Sequence, residues 1–169
     1  MEPIKFDVEI TKENLSSFLL YHNYTHFNGI FGIILSLLAI VYLIYDFNQL
    51  DTTKILILAV VAVLFTIVNP LMLRQKAGNQ IKRNDTFKAP ITYEIKAESF
   101  TLSQGDQQSE ISWKDVVKVR DSGKIMIIYI SKIRGFIWPK DQLGNDYLKV
   151  VEVLREKVDG DKIKLKSKK

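Results

Sequence analysis

Two long apolar stretches dominate the pattern of hydrophobic and polar positions along the chain. They run from Phe27 to Tyr45 and from Ile55 to Leu73, and neither contains an Asp, Glu, Lys, Arg or His. At about 1.5 Å per helical residue, each stretch covers roughly 28 Å, close to the ~30 Å hydrocarbon core of a bilayer. A soluble domain rarely buries two helices that are apolar on every face. The pattern therefore predicts two transmembrane spans, residues 27–45 and 55–73, that form a hairpin.

Small residues predict how these helices pack. Gly32 and Ser36 have the small-xxx-small spacing that lets another helix approach closely. The second span is the simplest partner, because the short link from Asp46 to Lys54 forces an antiparallel hairpin; homodimerisation through the same face is the alternative. Pro70 lacks an amide hydrogen and predicts a kink near the end of the second span.

Residues 1–26 form a separate N-terminal segment. Ile4 to Ile10 alternates apolar and polar residues, which predicts a half-buried strand. Thr11 then offers an N-cap to an amphipathic helix from Lys12 to about Thr25. This helix either lies at the membrane surface or packs on the soluble domain, and an apolar stripe alone does not separate the two interpretations.

His22 and His26 are the histidines of the chain and lie four residues apart. This spacing suits two metal ligands on one helix face, but the glutamate of an HExxH motif and a third nearby ligand are missing. The sequence therefore predicts no metal site. With Tyr21 and Tyr24, both histidines are better interpreted as interfacial anchors before the first span.

Beyond the spans, residues 74–159 are predicted to form a cytoplasmic domain of short strands and one helix. Strands are predicted around Ile91–Ile95, Phe100–Leu102, Ile111–Trp113, Val116–Val119, Ile125–Ile130 and Gly135–Trp138, and an amphipathic helix is predicted after an Asn145 cap. This order predicts an α+β membrane protein: a transmembrane hairpin plus a small antiparallel β-barrel of the pleckstrin-homology-like type, closed by a C-terminal helix. Ile4–Ile10 is a candidate seventh strand.

Charge predicts the orientation in the membrane. The segment 1–26 has two basic and four acidic residues, whereas residues 74–169 have 21 basic and 13 acidic residues. The positive-inside rule then places both termini in the cytoplasm of a plasma or inner membrane. Four bases shortly after the second span are predicted to contact anionic lipid headgroups: Arg74, Lys76, Lys82 and Arg83. The basic tail 160–169 adds to this charge, although the same charge also serves topology and solubility alone.

Several short motifs resemble the YcxB-like proteins of bacteria. The segment from Ile111 to Val119 has a tryptophan followed by an acid and aliphatic residues, and a Pro-basic step precedes the final helix. The matching positions are Trp113, Asp115, Trp138, Pro139 and Lys140. The resemblance implies a two-span membrane protein with a C-terminal domain of strands and a helix, and it implies no activity. We expect these positions to be structural: Trp113 in the core rather than in an exposed pair with Asp115, and Trp138 as a plug of the barrel end.

No pattern of residues predicts catalysis or a cofactor. Cysteine is absent, no glycine-rich phosphate loop is present, and both histidines precede the first span. The strands also lack the exposed aromatic residues of an RNA-binding sheet, so nucleic acid is not expected. We therefore expect a non-enzymatic module that binds lipid headgroups or a cytoplasmic protein. The alternative is an interaction or protective, immunity-like protein that acts through the transmembrane hairpin.

Overall fold

The computed structural model describes residues 3–165 and shows an α+β fold with two long apolar helices. Its helices are α1 (Lys12–Tyr24), α2 (Phe27–Asp46), α3 (Thr52–Val63), α4 (Asn69–Arg83) and α5 (Tyr147–Lys157). Its strands are β1 (Ile4–Val8), β2 (Ile91–Ile95), β3 (Ser99–Gln104), β4 (Gln107–Ser112), β5 (Lys118–Asp121), β6 (Ile125–Tyr129), β7 (Gly135–Pro139) and β8 (Ile163–Lys164). The last residues of the predicted basic tail, 166–169, lie outside the described residues.

The two apolar stretches form an antiparallel helical hairpin. α2 packs against α3, and the Ser36 hydroxyl donates a hydrogen bond to the Ala62 carbonyl at 2.8 Å. A Cβ atom on Gly32 would lie 2.5 Å from Cδ1 of Phe65, so only glycine fits at this crossing. The predicted small-residue face is therefore used inside the hairpin.

The second helix is longer than the predicted span. α3, a π-helical turn at Leu64–Val68 and α4 form one helix from Thr52 to Arg83, so it continues well past Leu73. The π turn stands directly before Pro70, where the missing amide hydrogen breaks the regular ladder. The Asn69 backbone N–H donates a hydrogen bond to the Leu64 carbonyl, five residues earlier. The Tyr24 hydroxyl donates to the Phe65 carbonyl at 3.5 Å. The irregularity expected at Pro70 takes this form.

Helix α1 packs on the rest of the molecule. A capping box fixes its start: the Thr11 hydroxyl accepts from the Asn14 amide, and the Asn14 side chain accepts from the Thr11 amide. The helix lies along α4 and also contacts β6 and β7. Leu15 is buried in the common core. Of the two interpretations of this helix, packing on the domain is the one that the contacts support.

The strands form two four-stranded sheets. The first has the order β1-β2-β3-β4 and is antiparallel throughout; the second has the order β7-β6-β5-β8, with β5 and β8 parallel. In the first sheet Ile4 lies opposite Ile95 and Val8 opposite Ile91. The N-terminal strand therefore belongs to the sheet formed after the hairpin, and helices α1 to α4 are an insertion between its first two strands.

The predicted closed barrel is wrong, because no strand ladder joins the two sheets within residues 3–165. At one corner, a 3-10 turn from Trp113 to Asp115 separates β4 from β5, so Trp113 also leaves its predicted strand. At the other corner, the Gln142 side chain replaces a ladder. The Oε1 atom of Gln142 accepts a hydrogen bond from the Glu9 backbone amide at 2.8 Å, and its Nε2 atom donates one to the Glu9 carbonyl at 2.9 Å.

The C-terminal helix closes the core, with a later start than predicted. Gly144 has a left-handed φ of +50° and opens a 3-10 turn through Asp146, so α5 begins at Tyr147 and the expected cap by the Asn145 side chain is absent. α5 buries Tyr147, Val150, Val153 and Leu154. The short parallel strand β8 was not predicted.

Candidate functional site

The four bases predicted to meet lipid lie on α4, which extends the second apolar helix. Arg74, Lys76, Lys82 and Arg83 are all exposed, and none of the ion pairs found among residues 3–165 uses them. Lys76 and Arg83 are seven residues apart, so they share one face of the helix and line a shallow groove of about 420 Å³. The four side chains therefore form two small groups rather than one patch.

The other group faces α1 and gains partners that the sequence analysis missed. Arg74 lines a groove of about 330 Å³ together with Lys12 of α1 and Lys124 of the β5–β6 turn. Lys82 and Lys12 line a second groove beside it. Glu13 is the one acidic residue in the first groove. Packing of α1 between α4 and the second sheet thus brings together bases that are up to 112 residues apart in the sequence.

Two tryptophans of the YcxB-like pattern belong to the core. Trp113 is 5% exposed, and its indole Nε1 donates to the Lys96 carbonyl at 3.2 Å. Trp138 is fully buried between the two sheets, edge-on to Phe6, Tyr93 and Phe100 with ring centroids 5.4–5.5 Å apart. It is a central core residue rather than a plug at one end. Burial also raises the pKa of Tyr93.

The polar members of that pattern differ in role. Asp115 is exposed at the end of its 3-10 turn. Lys140, which follows the buried Pro139, places Nζ 2.6 Å from the Asp121 carboxylate, whose side chain is fully buried. The second oxygen of Asp121 accepts from the Gly123 amide at 2.7 Å, and the Lys140 amide donates to the Lys124 carbonyl. Lys140 therefore joins the end of β7 to the β5–β6 turn.

A histidine–tyrosine cluster lies where α1 meets the second sheet. The rings of His22 and His26 are 4.0 Å apart, and His26 Nδ1 lies 2.5 Å from the His22 carbonyl oxygen. Tyr129 lies 6.1 Å from the His22 ring, and Lys118 Nζ lies 4.4 Å from the centre of the Tyr129 ring. Among residues 3–165 no group of three potential ligands is arranged to hold a metal.

Burial controls the ionisation of this cluster. It lowers the pKa of His22, and the nearby His26 and Lys118 lower it further. It also lowers the pKa of Lys118, with a second contribution from the positive Arg120, and raises the pKa of Tyr129 to about 12. Since the buried Nδ1 of His22 has no hydrogen-bond partner in the described structure, the neutral ring is the favoured form.

The chain matches the model of a known protein family. Residues 95–152 match the family model described as YcxB-like protein, which confirms the resemblance over about a third of the chain. The match runs from the end of β2 into α5 and includes Trp113, Trp138 and Lys140. No curated protein and no solved structure matches the chain.

Proposed function

Because residues 95–152 form a YcxB-like segment, we propose that the chain is a membrane-anchored, non-enzymatic binding module. Its helical hairpin spans the plasma membrane with both termini in the cytoplasm. Its two sheets and α5 form a pleckstrin-homology-like domain that is held at the inner leaflet and binds anionic lipid headgroups, with a cytoplasmic protein as the other class of partner.

The exposure of the apolar helices carries this proposal. In the candidate spans Gly29–Asp46 and Thr52–Arg83, only 22% and 6%, respectively, of the most apolar 18-residue segment is buried inside the protein. All but three of the exposed large apolar side chains found among residues 3–165 belong to residues 27–72. A core helix of a soluble protein would be mostly buried, whereas an apolar band of this extent needs a lipid environment.

The sheet pairing argues against a cleaved signal sequence. Strand β1 precedes α2 in the chain, yet it pairs along its full length with β2, which follows the hairpin. Cleavage after α2 would remove this edge strand and the core side chain Phe6, which stacks on Tyr93. The pairing therefore supports a hairpin that stays in the mature protein.

Strand order supports a pleckstrin-homology-like domain. Four antiparallel strands, β1 to β4, are followed by three more, β5 to β7, in a second sheet, and then by α5. The two sheets enclose a common core that includes the face of α5. The hydrogen bonds between Gln142 and Glu9 and the 3-10 turn at Trp113 connect the two sheets at their corners, so the core is enclosed without a closed barrel.

The charge on α4 supports headgroup binding. Arg74 to Arg83 spans about 14 Å along a helix that continues directly from the apolar segment. The bases are therefore close to the headgroup region when the apolar segment is in the bilayer. Each base near an anionic leaflet gains about 1 kcal/mol from the surface potential. The link between the spans has Lys54 alone, and Asp51 neutralises it at 3.0 Å.

Lipid retention tests the proposal. The full-length protein is reconstituted in phosphatidylcholine with phosphatidylglycerol, extracted gently, and its bound anionic lipid is counted by native mass spectrometry. We expect the variant R74Q/K76Q/K82Q/R83Q to retain several-fold less phosphatidylglycerol. The matched control K5Q/K149Q/R155Q/K164Q removes four exposed bases outside α4 and should retain the wild-type amount. Equal loss in both variants would contradict a headgroup site on α4.

A second function, an interaction through the hairpin itself, is favoured by the π turn. π turns inside helices are frequent at functional sites. Beside this turn, Ala59, Val60, Val63, Leu64 and Val68 line an apolar groove of about 400 Å³ on the exposed face of the helix. Replacing residues 33–68, which include the π turn and the groove beside it, by an unrelated apolar hairpin without a π turn distinguishes the functions. Unchanged phosphatidylglycerol retention supports the domain and α4, whereas its loss supports the hairpin.

A further inference from the structure

The hairpin between β6 and β7 carries an exposed apolar side chain between two bases. Ile133 is 71% exposed, and its neighbours Lys132 and Arg134 are exposed as well. Val117, another of the few exposed large apolar residues outside the helical hairpin, lies at the same end of the second sheet, where its amide donates to the Tyr129 carbonyl at 2.8 Å. Apolar residues flanked by bases are typical of surfaces that enter an anionic membrane interface.

The packing of α1 fixes the direction in which this hairpin extends. At its start, Lys12 lies against Gly78, five residues past the apolar stretch that ends at Leu73. At its end, the Tyr24 hydroxyl contacts the Phe65 carbonyl within the apolar helix. α1 therefore runs antiparallel to α4, toward the apolar hairpin.

Strand β6 runs alongside α1 in the same direction. Lys124, just before β6, lines the groove with Lys12 and Ser16, whereas Tyr129, at the end of β6, lies 6.1 Å from both Phe18 and His22. Since β6 points toward the apolar helices, the 130–134 hairpin that follows it lies on the same side of the domain as the start of α2.

The tip of the β6–β7 hairpin and the start of α2 both lie near the end of α1. The tip lies about two residues beyond Tyr129, or roughly 7 Å at ~3.3 Å per strand residue. Phe27, which is 78% exposed, starts α2 directly after α1, where Gly29 lies against the Asn23 carbonyl. The β-hairpin tip and the first exposed apolar residue of α2 are therefore on the same side of the domain.

The hairpin is ordered in a way that presents Ile133 outward. The Ile130 amide donates to the Arg134 carbonyl at 3.0 Å, and the Ser131 hydroxyl accepts from the amides of Ile133 and Arg134 at 3.3 and 2.9 Å. These bonds satisfy the backbone locally and leave the side chains of the tip without a role in the core.

We propose that the β6–β7 hairpin is a second membrane contact: Ile133 enters the hydrocarbon edge of the anionic inner leaflet, and Lys132 and Arg134 bind headgroup phosphates. This inference rests on the proposed membrane anchoring and adds a site on the domain that is separate from α4. Through it the domain has a fixed orientation on the leaflet, because α4 and the hairpin contact lipid on two sides of α1.

Depth-dependent quenching tests the inference on the full-length protein. The chain has no native cysteine, so single cysteines at Ile133, Asp106 and Leu38 can each carry a fluorophore. Asp106 is an exposed turn residue of the β3–β4 hairpin, two residues after Gln104. The Gln104 side chain donates to the Thr86 and Ala89 carbonyls, which follow the end of α4. Asp106 is therefore a control position away from the apolar helices. Leu38, 62% exposed in α2, reports on the span itself.

In phosphatidylcholine–phosphatidylglycerol vesicles with acyl-chain nitroxide lipids, we expect strong quenching at Leu38 and at least threefold more quenching at Ile133 than at Asp106. The K132Q/R134Q variant should lose most of the quenching at Ile133 and keep that at Leu38. Quenching at Ile133 equal to that at Asp106, with Leu38 quenched, would overturn the inference alone. An unquenched Leu38 would overturn the membrane anchoring on which it rests.

Discussion

The ion pair between Lys140 and Asp121 is the most buried ion pair found among residues 3–165. The Asp121 side chain is fully buried and that of Lys140 is 21% exposed, so this cation is taken up directly by a buried carboxylate. We expect Lys140→Met to lower the free energy of unfolding by about 3 kcal/mol, because removing one partner of a buried ion pair is strongly destabilising. Chemical denaturation in detergent, followed by tryptophan fluorescence, measures the change.

An exposed ion pair provides the control for this prediction. Lys149, 67% exposed, pairs with Asp146 at 2.9 Å, and Lys149→Met should change stability by less than about 1 kcal/mol. Adding Asp121→Asn to Lys140→Met should recover part of the loss. If the two lysine variants lower the free energy of unfolding equally, the buried pair of Lys140 and Asp121 stabilises the fold no more than an exposed pair does.

His22 gives the protein a pH-dependent stability. Its pKa is lowered in the folded state, chiefly by burial, so the unfolded chain binds a proton more readily. Full stability is therefore present above the unfolded pKa of about 6.5 and declines as the pH falls below it. Thermal unfolding in detergent between pH 8 and pH 5 should show a falling midpoint, and His22→Gln should reduce this slope.

The groups around His22 define the outcome that would contradict this prediction. His26, Lys118 and Tyr129 face the ring, and Phe18 stacks on it. Protonation of His22 adds a charge close to His26 and to the positive Lys118. A midpoint with the same pH dependence in wild type and His22→Gln would assign the effect to another group.

At the scale of elements, the π turn of the second helix and the end of α1 depend on each other. Pro70 cannot donate a backbone hydrogen bond, and the Phe65 carbonyl one π turn earlier is bonded by the Tyr24 hydroxyl. We expect Tyr24→Phe to lower the free energy of unfolding by about 1 kcal/mol, measured by thermal unfolding. In a Pro70→Ala background the cost should fall, since residue 70 then supplies an amide to the Phe65 carbonyl. Equal costs in both backgrounds would contradict the coupling.

Element boundaries were predictable where a local signal marks them. The Thr11 cap and the alternation of Ile4–Ile10 gave α1 and β1 nearly at their observed limits, and the apolar stretches gave the hairpin. The extension of the second helix to Arg83 was missed, because polar residues after Leu73 resemble a link between domains. β8 was missed because its two residues carry no periodicity. The 3-10 turn at Trp113 depends on the indole contact with Lys96, which is non-local.

At the scale of the whole molecule, the sequence predicted which bases follow the second span but not how they are grouped. Lys12, Arg74 and Lys124 meet only because α1 packs between α4 and the second sheet. The same packing directs the β6–β7 hairpin toward α2, and no feature of residues 130–134 alone reveals that direction. The two sheets in place of a barrel also follow from corner contacts, such as Gln142 with Glu9, between residues far apart in the chain.

Both proposals require a helical hairpin that spans the membrane and leaves the two sheets in the cytoplasm. Single cysteines at Gln49, in the link, and at Gln108, on β4, both occupy exposed positions in a chain without native cysteine. We expect a membrane-impermeant maleimide to label Gln49→Cys in intact cells and Gln108→Cys only after permeabilisation. Labelling of Gln108→Cys in intact cells would place the two sheets outside and contradict this topology.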